Sequence, residues 1–164
     1  MTSLDEVLTQ VDRLRCGEAV AVFAPIADEL AAAHAVGAAH RAINRHAVRL
    51  AADGSVSLVP AALARKRSAG VRARGEDVGD LARVIVDALL GRASRDEAGG
   101  DGIPADWGQR AAASGVPVGL VSVLATALAD RAAQRPTASE LAAGLREVCD
   151  PLPLGRLLDA QASA

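Results

Sequence analysis

The amino-acid sequence predicts a mainly α domain with one short β-hairpin, and three observations lead there. The 164 residues are 51% hydrophobic but only 1% aromatic. A core made of Ala, Leu, Val and Ile favours closely packed helices over a β-sandwich. Apolar residues recur at spacings of three and four in several segments, as helices with one buried face require. Finally, VRL and VSLV flank Asp53-Gly54, a dipeptide suited to a two-residue hairpin turn because both residues tolerate positive φ. The length is that of a single domain with a real core, placed at residues 1–150, with 151–164 read as a C-terminal tail.

Ser3-Leu4-Asp5-Glu6 has the form of a capping box, in which the Ser oxygen accepts from the Glu6 amide while Glu6 reaches back. Leu4, Val7, Leu8, Val11 and Leu14 then predict a helix over 4–14. A second helix is predicted over 18–36, with Val22, Phe23, Ile26 and Leu30 on one face. Pro25 removes a backbone donor, so a kink or restart is expected there. Gly37 suits the left-handed position that ends a helix.

After the hairpin, residues 63–76 are polar and basic, contain Gly70 and Gly75, and read as a loop. Residues 77–90 are apolar around much of their circumference, which predicts a buried helix. The Gly-rich, charged stretch 91–102 reads as a second loop. A short helix over 104–113 carries Trp107, read as a core or groove filler. Pro117 opens the next helix, with Val118, Val121, Leu124, Ala125 and Leu128 on one stripe. Thr137-Ala138-Ser139-Glu140 is a second capping box, followed by inward-facing Leu141, Leu145 and Val148. Pro151 and Pro153 stop that helix, and residues 154–160 predict a small tail helix.

One stretch carries a family resemblance. The order helix, His40-Arg41-x-Ile43, loop, Val-x-Leu, Asp-Gly, Val-x-Leu resembles the catalytic-loop region of a bacterial Ser/Thr protein kinase. That family reads His-Arg-Asp-Ile-Lys-Pro-x-Asn-Val-Leu-Leu, then a hairpin, then Asp-Phe-Gly. In this chain Ala42 stands at the place of the base Asp, Asn44 at that of the Lys and Ala47 at that of the metal-binding Asn. Pro60-Ala61-Ala62 stands where Asp-Phe-Gly belongs. Further on, Asp77, Val78 and Leu81, with Ala82 in the small-residue place, resemble the family's central helix, Asp-Val-x-x-Leu-Gly. Arg135-Pro136 resembles the turn before its last helix.

The resemblance covers about residues 3–149 and implies a kinase C-lobe-like helical domain. In it the chain begins at the helices that follow the N-terminal lobe, so a Gly-rich loop and a strand Lys are not expected. Without a base, metal ligands or phosphate cradle, phosphoryl transfer has no route to charge stabilisation. The resemblance therefore implies no enzyme and no cofactor, but a noncatalytic protein-interaction or regulatory module. It also implies that Asp77 braces the backbone around His40 and Arg41, with Arg135 structural as well. A solvated Asp near a helix start, favoured by the helix dipole, is the alternative for Asp77. A lost lobe would leave a surface near the hairpin that, if apolar, would mark a contact with a partner or a second copy of the chain.

The other features narrow the partner. A net charge of −2 requires neither nucleic acid nor an anionic membrane. Arg65, Lys66, Arg67, Arg72 and Arg74 nonetheless fall close together, either as a docking site for an acidic or phosphorylated partner or as a solvated loop. Nucleic-acid binding through this loop is a further alternative, although it would find no aromatic stacking residues there. Residual nucleotide binding completed by a partner chain is the other alternative. Ser68, after Arg-Lys-Arg, is a weak phosphorylation motif.

His34, His40 and His46 are not spaced to share a helical face, so a metal would need them to converge across a loop. Cys16 and Cys149 read as free thiols, and nothing in the sequence lowers the pKa of Cys16 toward a nucleophile. Residues 111–129 are uncharged, but Ser114, Gly115, Pro117 and Gly119 interrupt them, so no membrane span is expected. The acidic N-terminus is neither signal nor transit peptide, and a cytoplasmic protein is expected.

Overall fold

The structure is a computed structural model that describes residues 1–60, 70–98 and 102–162. Strand β1 (Thr2–Ser3) leads directly into helix α1 (Leu4–Val11) through the predicted cap. The Glu6 amide donates to Ser3 Oγ at 3.2 Å, and the Ser3 amide donates to the Glu6 carboxylate at 2.7 Å. The helix stops at Val11, not at Leu14, because Asp12 turns to φ +60°. Beyond it the Leu14 amide donates to the Ala88 carbonyl at 2.8 Å, drawing the chain across another helix instead of onward.

Helix α2 (Cys16–Ala35) runs unbroken through Pro25, which corrects the expected restart. Pro25 lies on the exposed side with Asp28 and Glu29, the side on which a missing helix bond is least costly. At its end the Ala38 amide bonds the Ala33 carbonyl at 2.9 Å and the Gly37 amide bonds the His34 carbonyl at 3.1 Å. With Gly37 at φ +77°, this is a Schellman closure.

Strands β2 (Val48–Leu50) and β3 (Val56–Leu58) pair antiparallel. The turn is longer than the predicted two residues. The Ala51 amide donates to the Ser55 carbonyl at 2.9 Å and the Gly54 amide to the Ala51 carbonyl at 3.0 Å. Only Gly54, at φ +83°, is left-handed, as in a three-residue loop ending in a glycine bulge. Asp53 keeps an ordinary φ and accepts from the Ser55 amide and hydroxyl instead. β1 pairs with the other edge of β2, giving a three-stranded sheet in the order β1-β2-β3.

Helix α3 (Val71–Leu90) starts well before residue 77, so Arg72 and Arg74 are helical and not in a loop. Its glycines are contact makers. A Cβ on Gly75 would lie 2.2 Å from the Ala132 carbonyl oxygen, and one on Gly79 would lie 2.1 Å from the Arg135 guanidinium. Only a bare backbone lets the 3₁₀ turn Ala132–Gln134 and Arg135 settle on this helix.

The predicted loop 91–102 contains helix α4 (Arg92–Ala98). α5 (Trp107–Ala113) half-buries Trp107 against the core. α6 (Val118–Ala127) buries Leu120, Leu124 and Ala127, whereas Val118 is 75% exposed, so the expected stripe is rotated. α7 (Ala138–Val148) starts at the second capping box, Thr137 with Glu140, and α8 (Gly155–Ala162) packs on α1 with Leu157 buried.

The fold is mainly α-helical with one small antiparallel sheet. One core joins Val22, Phe23, Ile26 and Leu30 to Leu81, Ile85 and Leu89, and these to Leu141 and Leu145. No described helix is long and apolar enough to cross a membrane.

Candidate functional site

The chain leaving α2 hangs on one carboxylate. Asp77, on the buried face of α3, is fully buried. Its Oδ2 accepts from the His40 amide at 2.7 Å and its Oδ1 from the Arg41 amide at 2.6 Å. The His34 ring donates from Nε2 to Oδ2 at 2.9 Å. Turning two successive amides onto one carboxylate goes with a left-handed Arg41 at φ +60°. That conformation costs a non-glycine residue of order 1 kcal/mol. Asp77, His40 and Arg41 are thus in direct contact.

The rest of the loop is tied to itself and to the hairpin. The His40 ring donates from Nε2 to the Val59 carbonyl at 2.7 Å, and its Nδ1 is buried without a partner. Asn44 Oδ1 accepts from the amides of His46 and Ala47 at 2.9 and 3.0 Å, so this side chain is spent on a local turn. Ala47 is buried, and its carbonyl accepts from the Val59 amide at 2.8 Å. Ala42 and Pro60 are exposed, while Ala61 and Ala62 lie outside the described residues. Arg45 spans two acids, Asp5 at 3.0 Å and Asp87 at 2.8 Å.

The three histidines do not converge. His34 faces Asp77, His40 faces Val59, and His46 lies 3.8 Å from Asp5. Among the described residues no group of three or more His, Cys, Asp or Glu side chains is placed to hold a metal ion.

Of the basic cluster, Arg65, Lys66 and Arg67 lie outside the described residues, as does Ser68. Arg72 pairs with Glu76 one turn on, at 2.8 Å. Arg74 and Arg41 have no ion pair among the described residues. Arg41 and Arg72 border an open depression of about 660 Å³ with Gly70, Ala73, Glu76 and Asp80. Burial pushes the Asp80 carboxyl up; Arg83 opposes this, Asp77 reinforces it, and the net shift is upward. Arg135 donates to the carbonyls of Ala129 at 2.8 Å and Gly75 at 3.0 Å, which ties the turn before α7 to α3.

Sequence reasoning missed a second buried carboxylate. Glu18 accepts from the Arg15 amide at 2.8 Å and is gripped by the Arg156 guanidinium, with Nε at 2.8 Å from Oε1. Burial pushes this carboxyl up, but Arg156 and the Arg15 amide together outweigh it, so its pKa lies below the ordinary 4.5. The only local signal was a Glu three residues after a non-standard cap. The nearby Cys16 thiol is pushed up to about 12 by burial and by the Cys149 thiol beside it, which removes it as a nucleophile.

Among the described residues, the large apolar side chains exposed near the hairpin are Val59 and, preceding β1, Met1. The larger exposed pair, Val36 and Val71, lies where α2 ends and α3 begins. No protein-family model matches the chain and no curated protein matches it, so function rests on this geometry.

Proposed function

We propose that this chain is a noncatalytic interaction module of the cytoplasm, related to a reduced C-terminal lobe of bacterial Ser/Thr kinases, that acts by binding a partner protein. The observation that carries the reading is the Asp77 clamp. A fully buried carboxylate holds the His40 and Arg41 amides in a strained loop, yet that loop presents Ala42 and Ala47 where phosphoryl transfer would need a base and a metal ligand. A loop shaped at this cost, with alanine at both of those positions, serves as a surface. Its outward product is the exposed Arg41 guanidinium, a fork suited to a carboxylate or phosphate group on a protein, at the rim of a depression where Arg72 is held by Glu76.

Thermal denaturation with ATP and Mg²⁺ tests the noncatalytic half. No shift at millimolar nucleotide is expected, and a clear stabilisation would overturn it. Affinity capture with the intact chain tests the other half. A specific partner should be retained by the wild type and lost by the Arg41→Glu/Arg72→Glu double variant.

A further inference from the structure

Beyond the Arg41 surface, a second feature specifies partner chemistry, and its use as a docking site rests on the interaction reading above. Between the end of α2, the start of α3 and the turn before α7 lies a groove of about 400 Å³. Ala35, Val71, Val78, Ala133 and Pro136 make its walls largely aliphatic. Two cations, Arg74 and Arg135, line the same space.

Neither cation has an ion pair there among the described residues. Arg135 meets only the carbonyl oxygens of Ala129 and Gly75. Arg74 is half-buried and carries no ion pair, and no Asp or Glu lines the groove among the described residues. Of the acids next to it, Asp77 already accepts from three donors, Glu140 is taken up by the Thr137 cap, and Asp80 bonds Arg83 and meets Arg135 only through its field. An aliphatic groove with two partly desolvated guanidiniums and no carboxylate in its described lining is electrostatically complementary to an anion that brings an apolar group with it. The apolar surface also runs past the cavity. Val71 is 60% exposed, and Val36, next to the lining residue Ala35, is 84% exposed. Such continuation suits a length of chain better than a small molecule.

We infer that this groove docks an acidic peptide segment of a partner protein, seating an aliphatic side chain among the alanines and valines and a neighbouring Asp or Glu carboxylate on Arg74 and Arg135.

Fluorescence anisotropy of the full chain with three labelled probes tests this: peptides alternating Leu with Glu, Leu with Gln, and Leu with Lys. The Leu–Glu probe should bind at least about tenfold more tightly than the Leu–Gln probe, and the Leu–Lys probe not at all. Arg74→Glu and Ala133→Glu should each weaken the Leu–Glu probe by about tenfold or more, while Arg13→Glu, at an exposed residue outside the groove, leaves it unchanged. Ala133 is exposed, so its variant decides the matter if Arg74→Glu fails to fold. Equal binding of the Leu–Glu and Leu–Gln probes, binding that survives both groove variants, or no binding at millimolar Leu–Glu probe would overturn the inference. Captured partner with no probe binding sinks the groove alone. Stabilisation by ATP and Mg²⁺ sinks the noncatalytic reading alone.

Discussion

Asp77 and Glu18 are both buried acids, 0% and 2% exposed, but the first is held chiefly by backbone and the second chiefly by a side chain. Asp77 takes two consecutive amides and a histidine ring. Glu18 takes one amide and a guanidinium from α8. Amides cannot move without the chain, so the Asp77 arrangement dictates the path of residues 40 and 41, including the left-handed Arg41. A guanidinium on a flexible stem tolerates many paths, so the Glu18 arrangement dictates only that α8 returns to the start of α2. One buried charge thus specifies local shape and the other specifies assembly.

The largest test of that contrast is Asp77→Ala. It strands two amides and a histidine, and should cost about 3 kcal/mol or more in urea unfolding. A loss under about 1 kcal/mol would break the comparison. Arg156→Ala should cost less, about 1–2 kcal/mol. It leaves Glu18 buried on one amide, but the guanidinium is itself 34% exposed and partly screened.

Acid titration sharpens the point further. Because the folded pKa of Glu18 lies below 4.5, its contribution is fully present above that pH and is lost as pH falls through the lower, folded value. Glu18→Gln should therefore show a flatter stability profile below pH 4.5 than the wild type, and an unchanged acid limb would contradict the pairing. The smallest effect is expected for Arg41→Gly. Relief of the positive φ should stabilise by less than about 1 kcal/mol, while Arg41→Val destabilises.

Features encoded within four residues were legible in the sequence. Both capping boxes, the hairpin position and the glycine closing α2 depend on local donors and acceptors, and all are present. Features decided by distant neighbours were not. Gly75 reads as a loop residue until the Ala132 carbonyl that covers it is known. β1 is two residues long and has no periodicity to detect. The buried face of α6 follows its partner α7, where Gly119 faces Val148 and Gly144 faces Val123, and no stripe of valines announces that. In the candidate site, Asp77, His40 and Arg41 were legible only through the family resemblance. The groove around Arg74 was illegible because its walls come from three separated segments.

Gly75 and Gly79 have one further consequence. The turn Ala132–Gln134, next to the groove residues Ala133 and Arg135, stands on α3 at backbone-contact distance. The position of that wall is therefore set beneath it by two hydrogen atoms. A single methyl at Gly75 would press on the Ala132 carbonyl, and one at Gly79, which is not in the lining, on the Arg135 guanidinium. The shape of the groove would then change in steps of one carbon, through Gly75 in its lining and Gly79 behind it.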